Sequence, residues 1–149
     1  ILVHTLSGNT ITLAVTPTVN TNVYVGIQYL MKYQFTELIY KAQAGQSKTP
    51  SRAVKLLVRN GSLFYNDTAA FDVKVTPKGR STYTNTFSPF VVGQTIVGEN
   101  SLDSGSYRFP IMTQAQDTTI TIENNTPLPS NFQSAEFEAF SHGRSQRYG

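Results

Sequence analysis

The 149-residue sequence has no cysteine, no tryptophan and only two histidines, His4 and His142. Without cysteine there is neither a disulfide framework nor a thiolate metal site, so stability must come from a packed core or from neighbours in an assembly. That argues against the small secreted toxin and growth-factor classes. The histidines lie at opposite ends of the chain and make no pair at ligand spacing, and Asn100 to Gly105 is too sparse in carboxylates to be a calcium loop. No apolar run approaches the roughly 20 residues that span a bilayer, which argues against membrane insertion by this segment. Charged residues make up 14% of the chain against 39% hydrophobic, the balance of a packed fold rather than a disordered polyelectrolyte.

What is present is period-two alternation. From Val23 to Phe35 every odd position is apolar, predicting one long strand with a face in the core. Asn9 to Thr16 predicts another strand, closed by Pro17. Ala42 to Arg52 is rich in Gly, Ser, Lys and Pro without a period and reads as a mobile loop. Strand character returns at Ala53 to Arg59, after which Asn60-Gly61 permits either a type I′ hairpin turn or a glycine bulge inside one long strand. Ser62 to Tyr65, an Asn66-Asp67-Thr68 turn and Ala70 to Thr76 predict a hairpin with Phe71, Val73 and Val75 inward and Asp72 and Lys74 outward. Pro77-Lys78-Gly79 predicts a turn before a Thr/Tyr strand at Ser81 to Phe87. Gly98 to Gly105 reads as a loop. Pro110 demotes the strand Ser106 to Met112 to an edge or a bulge. Thr118 to Glu123 places Ile120 and Ile122 inward, Asn124 to Pro129 makes a corner, and Ser134 to Phe140 is the last strand, with Ala135, Phe137 and Ala139 on one face. No helical period and no internal repeat is visible. The fold class expected is all-β, an antiparallel β-sandwich or open barrel with little or no helix, in a single domain spanning residues 1–149.

Candidate chemistry is thin. Ser141, His142 and Asp103 can be combined into a triad on paper, but no serine sits in a nucleophile elbow. Glu136 and Glu138 share a strand face roughly 7 Å apart. Glycosidase carboxylates flank a cleft and usually come from different strands, so a solvated or interface-facing pair is the better reading. The aromatics interleaved with lysine and arginine between Lys32 and Arg80 fall mostly on inward phases, which favours core over a single-strand nucleic-acid face. No enzyme activity and no cofactor or metal site is expected.

Charge is distributed unevenly. Lys32 to Arg80 holds nine basic residues against three acidic ones, whereas Ser81 onward holds three basic against six acidic. Such a chain can match its own complement in a neighbouring copy or present one half to nucleic acid.

Gly26 to Tyr40 (GIQYLMKYQFTELIY), Val54 to Phe87, Tyr107 to Met112 (YRFPIM) and Ile120 to Arg147 together resemble the C-terminal region of the tail nozzle proteins of short-tailed bacteriophages, the tail tubular protein B family of T7-like phages. The most specific elements are Pro127-Leu128-Pro129 with Phe132-Gln133-Ser134-Ala135-Glu136, the terminal Arg144-Ser145-Gln146-Arg147, and Phe71 to Arg80. Phe137 stands where the family more often has tryptophan. The resemblance implies a virion tail protein, a β-rich wall assembled as a homo-oligomeric ring, hexameric in relatives, below the tail adaptor protein (tail tubular protein A). Tail fibres would dock nearby, and genome DNA would pass through the lumen without sequence-specific binding. Family members are several times longer, so this chain is expected to be a C-terminal platform piece, and its start at Ile1 agrees. Candidate subunit or adaptor contacts are Glu136, Glu138, Arg144, Arg147, Lys55, Arg59, Lys78 and Arg80. An independent carbohydrate-binding or adhesin-like β-sandwich is the alternative.

Overall fold

The computed structural model describes residues 4–8, 10–13, 29–44, 47–51, 54–89 and 101–142. The strands are β1 (His4–Ser7), β2 (Thr10–Leu13), β3 (Met31–Gln34), β4 (Tyr40–Ala44), β5 (Ser47–Ser51), β6 (Lys55–Thr68), β7 (Phe71–Pro77), β8 (Tyr83–Phe87), β9 (Asp103–Gln114), β10 (Thr118–Asn124) and β11 (Phe132–His142). A 3-10 turn at Ala115–Asp117 links β9 to β10. Two antiparallel sheets carry the fold, one in the order β3-β10-β7-β8 and the other β11-β6-β9, while β1-β2 and β4-β5 are separate two-stranded hairpins.

The sheets pack as a sandwich because each offers one apolar face. Phe71, Val73 and Val75 of β7 and Ile120 and Ile122 of β10 meet Val58, Leu63 and Tyr65 of β6 and Phe109 and Ile111 of β9, all of them buried. Aromatic rings cross the gap at both sides. Phe35 meets Phe137 edge-on at 5.2 Å between β3 and β11, and Tyr65, Phe71, Phe87 and Tyr107 form a contiguous cluster between β8 and β9. Such pairs contribute about 0.5–1.5 kcal/mol beyond the area they bury. Two tyrosines also latch the outer strands together: Tyr83 donates to the Ile111 carbonyl, and Tyr107 to that of Thr86 at 3.3 Å.

The alternation expected for β7, β10 and the first half of β11 is observed, and the corner expected at Asn124 to Pro129 forms between β10 and β11. There the buried Asn124 amide donates to the Leu128 carbonyl and to Ser130, while its oxygen accepts from the Thr126 amide and hydroxyl. Gly79, with φ of 72°, closes the turn after Pro77, where the Arg80 amide donates to the Pro77 carbonyl. Pro110 lies on an edge strand beside a register shift, as its chemistry requires.

Of the two alternatives at Asn60-Gly61 the structure takes the single long strand, β6, which runs through it for 14 residues; other expectations are corrected. The strand does bulge, but at Arg59, the extra residue relative to β11, while on β9 Ile111 and Met112 oppose that same residue. Gly61 is needed for a different reason, since a Cβ there would lie 2.3 Å from the Phe109 ring. Asn66-Asp67-Thr68 is likewise a bulge inside β6, with Asp67 at φ 46°. β6 and β7 do not pair, and Ala69-Ala70 carries the chain from one sheet to the other. Thr68 ties that crossing to the next corner, exchanging hydrogen bonds with the Asn131 backbone.

The loop expected over Ala42 to Arg52 contains a β-hairpin, in register from Tyr40↔Ser51 to Ala44↔Ser47. The loop expected at Gly98 to Gly105 gives way to β9 at Asp103. Tyr33 lies on the inward phase of edge strand β3 yet is 55% exposed, and Ala139 near the end of edge strand β11 is exposed too. Of the long strand expected from Val23 to Phe35, residues 23–28 lie outside the described residues, and the described part is strand only over Met31–Gln34. Thr10–Leu13 is the described part of the strand expected at Asn9 to Thr16.

Candidate functional site

Across the outer face of β11-β6-β9, Glu138 lies beside Asn60, and Glu136 beside Ser62, which in turn neighbours Arg108. The bulge turns Arg59 and Asn60 toward this same face. Glu138 therefore accepts from the Asn60 amide at 3.2 Å and from Arg108 at 2.9 Å, with Arg59 at 3.8 Å. The Asn60 hydrogen bond, followed by the charges of Arg108 and Arg59, holds its carboxyl below the ordinary carboxylate range. The group is half exposed, so these contacts order the face more than they stabilise the fold. Glu136 has no ion-pair partner among the described residues.

The outer face of the other sheet is neutralised in the same way. Glu123 takes Lys74 on one side and Lys32, at 3.3 Å, on the other. The hydrogen bond from Lys74 leads, against the opposing effect of burial, in lowering the Glu123 pKa, and the same bond raises that of Lys74.

The two ends of the sandwich differ. Where β6 begins, Lys55 is the register partner of His142, and the β7–β8 turn bearing Lys78 and Arg80 is fixed against the 3-10 turn by the Lys78 amide donating to the Asp117 carbonyl at 2.7 Å. Lys55, Lys78 and Arg80 are exposed and form no ion pair among the described residues. Where β6 finishes stand Asp67 and Asp103. Asp103 accepts the Tyr65 hydroxyl at 2.8 Å, and burial together with that carboxylate pushes the phenol up to about 12.

The structure thus divides the expected interface residues. It brings Arg59 to Glu138, leaves Glu136 beside Ser62 on the same strand face, and sets Lys55, Lys78 and Arg80 at one end. Arg144 and Arg147 lie outside the described residues. Arg108, the principal cation on Glu138, was not among the expected residues, although its inward neighbours Tyr107 and Phe109 could have marked it as facing outward. The paper triad fails on geometry. His142 pairs with the first residue of β6 and Asp103 with its last, roughly 40 Å apart at about 3.3 Å per residue. Among the described residues no three His, Cys, Asp or Glu side chains converge on a metal position, and no helix is long and apolar enough to cross a membrane.

The described residues thus form a β-sandwich whose sheet faces carry internal ion pairs and whose ends are charged. The chain belongs to the bacteriophage nozzle protein family, whose model matches residues 3–148, and is thereby a structural protein of the phage tail. It is similar to the tail tubular protein gp12 of Escherichia phage T7, with 26% identity over 112 residues, covering 73% of this chain and 14% of that protein. The chain therefore spans about one seventh of the length of the curated relative it matches.

Proposed function

We propose that this chain is one β domain, the C-terminal platform part of a longer nozzle protein. In this reading copies form a ring, hexameric as in the resembling family, that encloses the DNA ejection channel below the tail adaptor. The observation that carries the reading is the family match along nearly the whole chain, and the short share of the T7 protein supports a part of something longer. The role is mechanical, with no catalysis.

A ring subunit pairs two different surfaces, which suits a chain whose charge is segregated. A channel that passes DNA should not grip phosphate, because each neutralised phosphate adds salt-dependent affinity. Lys55, Arg59, Lys78 and Arg80 accordingly face neighbouring protein rather than the lumen, and Glu136, Glu138, Arg144 and Arg147 serve the same contacts. Fibres dock nearby. The test is the mass of the chain in solution by light scattering, alone and with the adaptor. Ring-sized oligomers or a complex with the adaptor support the reading. A monomer at all concentrations that ignores the adaptor and binds sugars would support an independent carbohydrate-binding module instead.

A further inference from the structure

The outer face of β11-β6-β9 changes character at the basic end. Leu57 and Phe140 are direct register neighbours, and Met112 projects from the bulge of the adjoining strand. They are 40%, 51% and 61% exposed, which makes a grouped apolar patch rather than scattered single residues. Lys55 and His142 bound it at the strand ends, with Lys78 and Arg80 beyond. An apolar centre with a charged rim is the anatomy of a protein interface. A surface that only tracks phosphates has no use for exposed Leu and Met.

The opposite end supplies the complement. Leu102 is 47% exposed beside Asp103, and Asp67 is held outward in the bulge, its amide bonded to Ser104. Neither Asp67 nor Asp103 has a cationic partner among the described residues. The two ends are separated by the 14 residues of β6, roughly 40 Å.

We infer that a second copy of this chain docks its Asp67–Leu102–Asp103 end onto the Lys55–Leu57–Phe140 end, head to tail. The inference rests on the oligomeric reading above and adds which surfaces meet. A contact between opposite strand ends is heterologous, so it closes into a ring only if the strands run around the circumference rather than along the axis.

The absence of cysteine makes the test clean. Phe140→Cys and Leu102→Cys chains are prepared separately, mixed, and treated with a short bismaleimide. Covalent dimers should form in the mixture and not with either variant alone. A Lys78→Glu, Arg80→Glu chain should associate about tenfold more weakly or worse, since like charges would then face each other. Oligomers that form without the mixed cross-link overturn the inference and leave the ring reading standing. Cross-linking of Phe140→Cys with itself also overturns it, because the contact would then be two-fold. A chain that stays monomeric removes both. Co-elution with short duplex DNA that is lost in the charge-reversed chain, with no mixed cross-link, would assign the basic end to nucleic acid.

Discussion

Replacing Gly61 with alanine tests the central strand of the sandwich. A Cβ at this position would stand 2.3, 2.7 and 2.9 Å from three atoms of the Phe109 ring. Phe109 is 1% exposed and walled in by the core, so the ring has nowhere to swing. Overpacking of this kind costs about 1–3 kcal/mol. Removing glycine also stiffens the unfolded chain, which returns about 0.4–1 kcal/mol where the backbone suits alanine, as extended β6 does. The net loss expected is about 1–2 kcal/mol, or roughly 3–8 °C in Tm for a domain of this size. Phe109→Leu alone should cost about 1–2 kcal/mol through the space it leaves. The double variant should recover at least about 0.5 kcal/mol relative to the sum, because the smaller side chain admits the new methyl. Urea denaturation of the four chains measures this coupling. Were Gly61 a turn residue, its cost would come from the backbone and truncating Phe109 would not relieve it. Strictly additive losses would therefore refute the packing account.

Asn124→Ala should destabilise by about 2–3 kcal/mol in the same assay, because the buried corner would lose the partner of the Leu128 carbonyl and of the Thr126 amide. Tyr83→Phe should cost about 0.5–1.5 kcal/mol by opening the latch to the Ile111 carbonyl. The Tyr65 phenol has a folded pKa raised from 10.0 to about 12, so its contribution is fully present below pH 10 and is lost as pH rises toward 12. Tyrosinate absorbance should show it ionising late, and a Tyr65 that titrates with the exposed tyrosines would contradict the burial. Glu123 and Glu138 have lowered pKa values, so the stability they supply is present above their ordinary value of 4.5 and is lost as pH falls below it. Acid unfolding should accordingly begin at lower pH in the native chain than in Glu123→Gln.

Strand positions were legible wherever one face is buried, because alternation is local: Phe71, Val73 and Val75 announce β7 without help from any partner. Pairing was not legible. Asn66-Asp67-Thr68 is chemistry shared by hairpin turns and bulges, and only the Tyr65–Phe71 contact across the core, a property of two sheets at once, separates them. The β4–β5 hairpin escaped notice because it pairs with neither sheet and so needs no apolar alternation. In the candidate site, same-face spacing correctly put Glu136 and Glu138 together. The partners of Glu138 depended on a one-residue bulge at Arg59 that no periodicity marks. That Lys55, Lys78 and Arg80 have no ion-pair partner among the described residues emerges only once Glu123 and Glu138 are seen to take Lys32, Lys74, Arg59 and Arg108.

The ring account is tested most directly by an electron cryomicroscopy map of the intact tail. It predicts this β-sandwich repeated in the nozzle wall, with Lys55, Arg59, Lys78 and Arg80 at contacts between subunits or with the adaptor. A map placing those four side chains along the DNA channel would contradict it.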